Sequence, residues 1–328
     1  MRMKNVIRGL LVAALAALAL TGWANVSDTS AGLATKLDPA VVAFQEQHPG
    51  SRIPVIVRTD GSAGAVAQEV ESLGGSDVAE LGLIDGVAAT LTPQQVARLA
   101  RDPDVEWVSL NPVMLSSSRD GDEAIDFSKL ATVYPFSAGA TTAWQGGVTG
   151  EGVTVAVIDS GLTGGKDFKG RVAGDFDLSS VSDGADDENG HGTYVSGIIA
   201  GKSDKFIGIA PGARLLNIRV SGRDGSALAS DVIAALQWAV DHKDEFGIRV
   251  INLSLTSSAI DSYRQDPLDA AVEQAWFHGI VVVTAAGNFG SDPAAVDHAP
   301  ANDPFIITVG AFDDGGTATP SLMWWPPA

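Results

Sequence analysis

The stretch Val155-Ala156-Val157-Ile158-Asp159-Ser160-Gly161 constrains this chain more than any other. Four apolar, mostly β-branched residues run into a carboxylate, and turn residues follow. That pattern describes a strand buried on both faces, of the kind found in parallel sheets. Asp159 then stands at the carboxyl end of the strand, where open α/β sheets place their ligands. Downstream, Asn189-Gly190-His191-Gly192-Thr193 leads into a helix-compatible stretch from Tyr194 to Gly201. A carboxylate on a strand end and a histidine opening a helix supply two parts of a nucleophilic triad, in the order Asp then His. Val281 to Asn288 reads as a further buried strand that ends in a polar amide.

These three stretches resemble the subtilisin-like serine proteases (subtilases), over roughly Trp144 to Ala311 and in the family's order. The resemblance implies Asp159 as the triad aspartate, His191 as the general base and Asn288 as the oxyanion-hole amide. It also implies that Ser254-Leu255-Thr256 and Gly225-Ser226-Ala227 are the two edges between which an extended peptide binds, with Ala285, Ala286 and Gly287 lining a side-chain pocket. The family commonly has glycine where Thr256 and Ala227 stand, and often a second histidine where Tyr194 stands. Its nucleophile, a serine in a Gly-Thr-Ser-Met-like helix start, should follow Asn288 by several tens of residues. Between Asn288 and Ala328 no such motif occurs. Gly316-Thr317-Ala318 imitates it, but alanine has no hydroxyl, and Ser321 as a relocated nucleophile is the lesser reading. Ser321 to Ala328, with paired tryptophans and prolines, resembles nothing in the family, so a truncated or frame-shifted product is expected.

The residue types suit the chemistry. A serine hydroxyl is a poor nucleophile until a neighbouring base takes its proton, and histidine titrates nearest neutral pH. Heading a helix, His191 loses basicity to the helix dipole; Asp159 offsets that by stabilising the imidazolium and holding the useful tautomer. Gly190 and Gly192 are read as leaving room for substrate beside the ring. An amide N–H from Asn288 would stabilise the developing oxyanion, an effect of about two to three powers of ten in turnover, a magnitude measured on a subtilase. The alternatives are a structural His–Asp pair, and an asparagine that supplies a left-handed turn beside Gly287. The cluster Asp183, Asp186, Asp187 and Glu188 is oxygen-rich enough for structural calcium, which many subtilases carry. Its spacing matches no recognised loop, so a solvated acidic loop is the stronger expectation.

The sequence has 21 basic against 40 acidic residues, a formal charge of −19. That argues against nucleic acid or an anionic membrane surface as partner. With no cysteine, neither disulfides nor thiolate metal sites are available. Arg2, Lys4 and Arg8, the apolar run Leu10 to Leu20 and the small residues of Gly22-Trp23-Ala24 describe a secretory signal cleaved after residue 24. The product would be secreted, extracellular or periplasmic, and off the membrane once cleaved; a single membrane anchor is the alternative.

Residues 25–49 read as a linker with one short helix over Pro39 to Gln47. Residues 50–115 give strand, helix, strand, strand, helix, strand: Ile53 to Arg58 and Val105 to Leu110 are strands, and Thr92 caps a helix beginning at Pro93. Pro54 limits its strand to an edge or to the strand's first residues. This split βαβ, ferredoxin-like pattern, lying upstream of the motifs, resembles the family's inhibitory propeptide, which would occupy the chain's own groove. Residues 116–140 read as a second linker, polar from Met114 to Asp126. Residues 141–328 form the incomplete subtilisin-like domain. Its apolar runs Ala213 to Val220, Arg249 to Leu255, Gly279 to Ala285 and Pro304 to Gly310 alternate with helical patterns over Ala227 to Val240 and Leu268 to Phe277. An α/β fold with a mostly parallel sheet and helices on both faces is expected.

The reading is a secreted subtilisin-like serine endopeptidase precursor acting on extended polypeptides. It needs no cofactor for catalysis and lacks its nucleophile as written. The alternative is a catalytically dead peptide-binding or inhibitory protein. A doubly wound nucleotide-binding enzyme is disfavoured, because Gly161 and Gly164-Gly165 do not make the dinucleotide fingerprint.

Overall fold

The computed structural model describes residues 36–116, 133–181, 186–203, 206–290, 294 and 297–311. The expected signal segment, residues 117–132 of the expected linker, Asp183 and the stretch from Gly316 to Ala328 lie outside them.

Asp38 accepts the Ala40 N–H at 2.7 Å and opens α1 (Pro39–Gln47). There follow β1 (Ile53–Thr59), α2 (Ala63–Ser72), β2 (Ser76–Leu81), β3 (Gly86–Leu91), α3 (Pro93–Leu99) and β4 (Val105–Leu110). The four strands pair antiparallel in the order β2-β3-β1-β4, a split βαβ arrangement. Thr92 and Gln95 exchange side-chain and backbone hydrogen bonds at the start of α3, which satisfies two N–H groups that the helix leaves without partners. Pro54 sits near the start of a central strand. Its carbonyl accepts from Asn111 N at 2.9 Å, so its nitrogen faces the β4 side, where pairing begins only at Val55. The missing N–H therefore breaks no ladder bond there.

The stretch expected to turn polar at Met114 begins instead as a strand, β5 (Val113–Ser116), with Met114 fully buried. Then come α4 (Tyr134–Ser137), α5 (Ala140–Gln145), β6 (Thr154–Asp159), β7 (Val172–Asp177), α6 (His191–Ala200) and β8 (Arg214–Arg219). The chain continues through β9 (Ser226–Leu228), α7 (Ala229–Asp241), α8 (Lys243–Phe246), β10 (Ile248–Leu253), β11 (Leu255–Ser257), α9 (Pro267–Phe277), β12 (Val281–Ala285) and β13 (Ile307–Val309). Six strands form a parallel sheet ordered β13-β12-β10-β6-β8-β7, and β6 is buried at every position. Its side chains alternate as the pleat requires. Val155 and Val157 pack with Val195, Ile199 and Ala200 of α6, whereas Ala156 and Ile158 join the cluster of α7 and α9. Helices thus cover both faces.

β5 lies in the middle of a separate antiparallel sheet, β11-β5-β9. Thr256 stands opposite Leu115 on one side, and Ala227 opposite Met114 on the other. This pairing is why α7 starts later than its apolar periodicity suggests: Ala227 and Leu228 belong to β9. The N-terminal sheet packs on the same helices. Val55 and Val57 of β1 face α2 and α3, while Ile56 and Ala88, with Leu81 and Ile84, join the α7 and α9 cluster.

Asn111 fixes the joint. Its Nδ2 donates to Ser230 Oγ at 2.8 Å, its Oδ1 accepts the Ser230 N–H at 3.0 Å, and Ala229 N donates to Pro112 O at 3.0 Å. Ser230 lies in the first turn of α7, whose N–H groups have no acceptor within the helix. Asn111→Ala is expected to cost about 1–3 kcal/mol, read as a lower melting temperature and faster amide exchange along β5. An unchanged melt would remove Asn111 from the joint.

Candidate active site

Asp159, the last residue of β6, is fully buried. Its Oδ1 accepts the Ser160 N–H at 2.7 Å and lies 2.7 Å from Nδ1 of His191, the first residue of α6. Burial alone would lower the His191 pKa. The hydrogen bond to Asp159, the Asp159 charge and the Asp187 charge outweigh it, so the pKa ends above the ordinary histidine value. The carboxylates therefore win over the depressing effect expected from the helix start. With Nδ1 held, Nε2 is the nitrogen that can take up a proton, which is the geometry of a general base. The pair's stabilising effect is fully present below the unfolded histidine's pKa and is lost as pH rises through the raised folded value.

The two glycines flanking the histidine differ. A Cβ on Gly192 would stand 2.2 Å from Gly161 O and 3.2 Å from Asp159 Cβ. Gly192 lets the first turn of α6 press against the end of β6, and it does not make room for substrate, as the sequence reading expected. A Cβ on Gly190 would meet nothing within 4 Å, and φ there is 85°.

Asn288 is exposed just past β12. The left-handed residue of its turn is Gly287, at φ 88°, so the turn does not need asparagine for its conformation. Phe289 stacks on His298 with centroids 3.8 Å apart, and His298 Nδ1 lies 2.9 Å from Ser257 O. These contacts tie the Asn288 turn to β11. A Cβ on Gly287 would approach Thr256 Oγ1 to 3.5 Å, and Ala286 N donates to Val309 O at 2.9 Å. Ser226 and Leu255 lie in the two strands that flank β5. Gly225 turns the chain into β9 with φ 76°, and Ser254 Oγ accepts from Asn252 Nδ2 at 3.0 Å. Thr256 and Ala227, which stand where glycine was expected, are buried and still pair with β5; their side chains do not obstruct the backbone ladder.

In the acidic cluster, Asp186 and Glu188 are exposed, and Glu188 is paired with Arg223. Asp187 is buried. Its Oδ1 accepts from Ser160 Oγ and Gly190 N, both at 2.8 Å, and its Oδ2 accepts from Thr193 N at 2.8 Å and Thr193 Oγ1 at 2.5 Å. Four donors fill the lone-pair directions of a carboxylate, so Asp187 is neither solvated nor open to calcium. Among the described residues no group of three or more His, Cys, Asp or Glu side chains is arranged to hold a metal ion. Sequence reasoning missed this role of Asp187. The available signal was its place just before a left-handed glycine and a helix start.

A buried carboxylate at the end of a parallel strand, bonded to a histidine that opens a helix, is the arrangement that two of the three members of a nucleophilic triad on an α/β sheet would need. The sequence model of the Subtilase family matches residues 150–321. The chain belongs to that family. It is 39% identical over 182 residues to "Serine protease AprX" of Bacillus subtilis (strain 168), covering 52% of this chain and 41% of that protein. It is 30% identical over 246 residues to "Subtilisin-like protease 1" of Trichophyton equinum, covering 74% of this chain and 46% of that protein. The chain spans about half the length of the curated relatives it matches. A cold adapted subtilisin-like serine proteinase of known crystal structure aligns at 32% identity and a TM-score of 0.40, over 49% of this chain and 55% of that one.

Proposed function

We infer that the chain is a precursor of a secreted serine endopeptidase acting on extended polypeptides, in which residues 36–116 serve as an inhibitory propeptide. The observation that carries this reading is β5, seated as the middle strand between β9 and β11. Main-chain pairing on both sides gives affinity for any extended segment, and the alternate side chain, here the buried Met114, supplies preference. Asp159, His191 and Asn288 take the roles of orienting carboxylate, general base and oxyanion donor. Gly225, Ser226, Ser254, Leu255, Ala286 and Gly287 border the slot. No cofactor takes part in the chemistry. Localisation outside the cell rests on the basic and apolar start of the sequence. Among the described residues no helix is long and apolar enough to cross a membrane.

From Asn288 to Ala328 the sequence carries no serine motif of the family's kind, so a polypeptide of these 328 residues alone is expected to seat its own junction without cutting it. The test is expression in a protease-deficient secreting host, followed by intact mass, N-terminal sequencing and labelling with a serine-directed phosphonate. The expected product starts near Asn25, keeps residues 36–116 attached and takes no label. A start between 117 and 144 that disappears in His191→Ala would show a working nucleophile and overturn that expectation. The two strand edges also suit a dead peptide-binding protein. Saturable binding of an extended peptide by a chain cut after residue 116, without turnover even when a family-type serine segment is appended, would favour that reading.

A further inference from the structure

Asp187 ties together segments that share no backbone ladder. Through Ser160 Oγ it reaches the loop after β6, through Gly190 N the turn before α6, and through Thr193 the first turn of α6. The bonding continues on both sides. Ser160 Oγ accepts the Gly192 N–H at 2.9 Å, and Thr193 Oγ1 accepts the Thr163 N–H at 2.8 Å. His191 sits between Gly190 and Gly192, and both neighbours' N–H groups end in this network rather than in the helix, which has no acceptor for its first N–H groups. A Cβ on Gly161 would come within 3.2 Å of both Asp187 Cα and Cβ, so the loop and the carboxylate have no slack between them.

We propose that Asp187 is a positioning residue for His191, fixing the backbone on both sides of the imidazole so that Nδ1 meets Asp159. Asp187 acts through Ser160, Gly190 and Thr193. Its negative charge also favours the protonated imidazole, in line with its part in raising the His191 pKa. The proposal rests on the reading of His191 as the base, but its test reads the imidazole itself, so a failure of the hydrolytic reading leaves the test standing.

The experiment is an NMR titration of His191 in the full chain, assigned against His191→Gln, for wild type, Asp187→Asn, Asp187→Ala and Thr193→Val. In the two Asp187 variants the acid dissociation constant of His191 is expected to rise about three- to tenfold. The Nδ1-bound proton, now less firmly held on Asp159, should exchange faster with water. Thr193→Val, which removes one donor of four, should give a smaller shift in the same direction. A merely structural role would lower the melting temperature and leave both readouts of the folded protein in place. A folded Asp187→Asn protein with an unchanged His191 titration and unchanged Nδ1 proton exchange overturns the proposal. Should neither Asp187 variant fold, Thr193→Val and Ser160→Ala decide, and no movement in either overturns it.

Discussion

Replacing Asp269 by asparagine is expected to raise the melting temperature at pH 8 and to leave it nearly unchanged at pH 4. Asp269 lies in the first turn of α9, fully buried, and neither of its carboxylate oxygens has a hydrogen-bond partner. Asp266 caps the same helix through the Leu268 N–H at 2.7 Å. Asp261, Glu273 and Asp303 face Asp269 from the preceding loop, from the helix itself and from the segment before β13. Asp38, at the start of α1, faces Asp261 and Asp266 from across the joint. The nearby cation is Arg58 of β1, which faces Glu273 and pairs with Glu106 at 3.3 Å. Burial, then mutual repulsion, pushes Asp269 to about 10 and Asp266 to about 7, and burial chiefly pushes Asp38 to about 6.

Stability from such groups is fully present below the unfolded value of 3.8. It is lost as pH rises towards the folded value, because the unfolded chain releases protons that the fold retains. Holding one proton at pH 7 against that unfolded value costs roughly 4 kcal/mol. An amide of the same shape avoids that cost, and its unpaired polar atoms only replace those of the protonated acid, so the two proteins differ little at pH 4. The difference between variant and wild-type melts from pH 4 to pH 8 is the measurement. A variant that melts lower than wild type at every pH would refute the account, and so would a difference that does not grow with pH.

Gly192→Ala is expected to be among the most damaging single-methyl additions in the molecule. The added carbon has backbone on the other side, at 2.2 Å from Gly161 O, and backbone cannot rotate away as a side chain can. Overpacking of this kind costs about 1–3 kcal/mol or more. It is also expected to separate α6 from β6, so that the raised His191 pKa falls back towards the ordinary value. Gly190→Ala is the control. Its carbon meets open space, and only the left-handed backbone opposes it, at roughly 1–2 kcal/mol. Thermal melts and the His191 titration together distinguish the two. Equal damage at both positions, or a Gly192→Ala protein with an intact titration, would show that the close approach is not what aligns the pair.

How much of this was legible in the sequence depended on whether a residue's role was local. β6 announced itself because a strand buried on both faces must be continuously apolar, and α3 because Thr92 and Gln95 form its cap within four residues. β2 was counted in the split βαβ pattern without being assigned residues, and β7 was not read as a strand: neither is continuously buried, so neither carries an apolar pattern, and their partners define them. β5 was read as the start of a polar boundary because its pairing partners lie far along the chain. Asp159 and His191 were found through motifs. Asp187 and Asn111 were not, since each acts through hydrogen bonds that only the folded chain brings within reach. Gly192 was recognised as necessary, but for the wrong neighbour.

β5 follows β4 after only Asn111 and Pro112, and on the proposed propeptide reading that short tether would make the whole 36–116 segment a bivalent ligand. One point of attachment is the sheet face carrying Ile56 and Ala88 on α7 and α9; the other is the strand between β9 and β11. Once the first is docked, the second is presented at an effective concentration in the millimolar range, and avidity can exceed either contact by about two to four powers of ten. A free peptide competing for the slot must overcome that local concentration, not merely match the strand's contacts. The same coupling makes occupancy fragile in one respect. Loosening the helix contact alone, as a rise in pH is expected to do at the carboxylates beside it, removes that gain and leaves only the covalent link to the rest of the chain to present the strand.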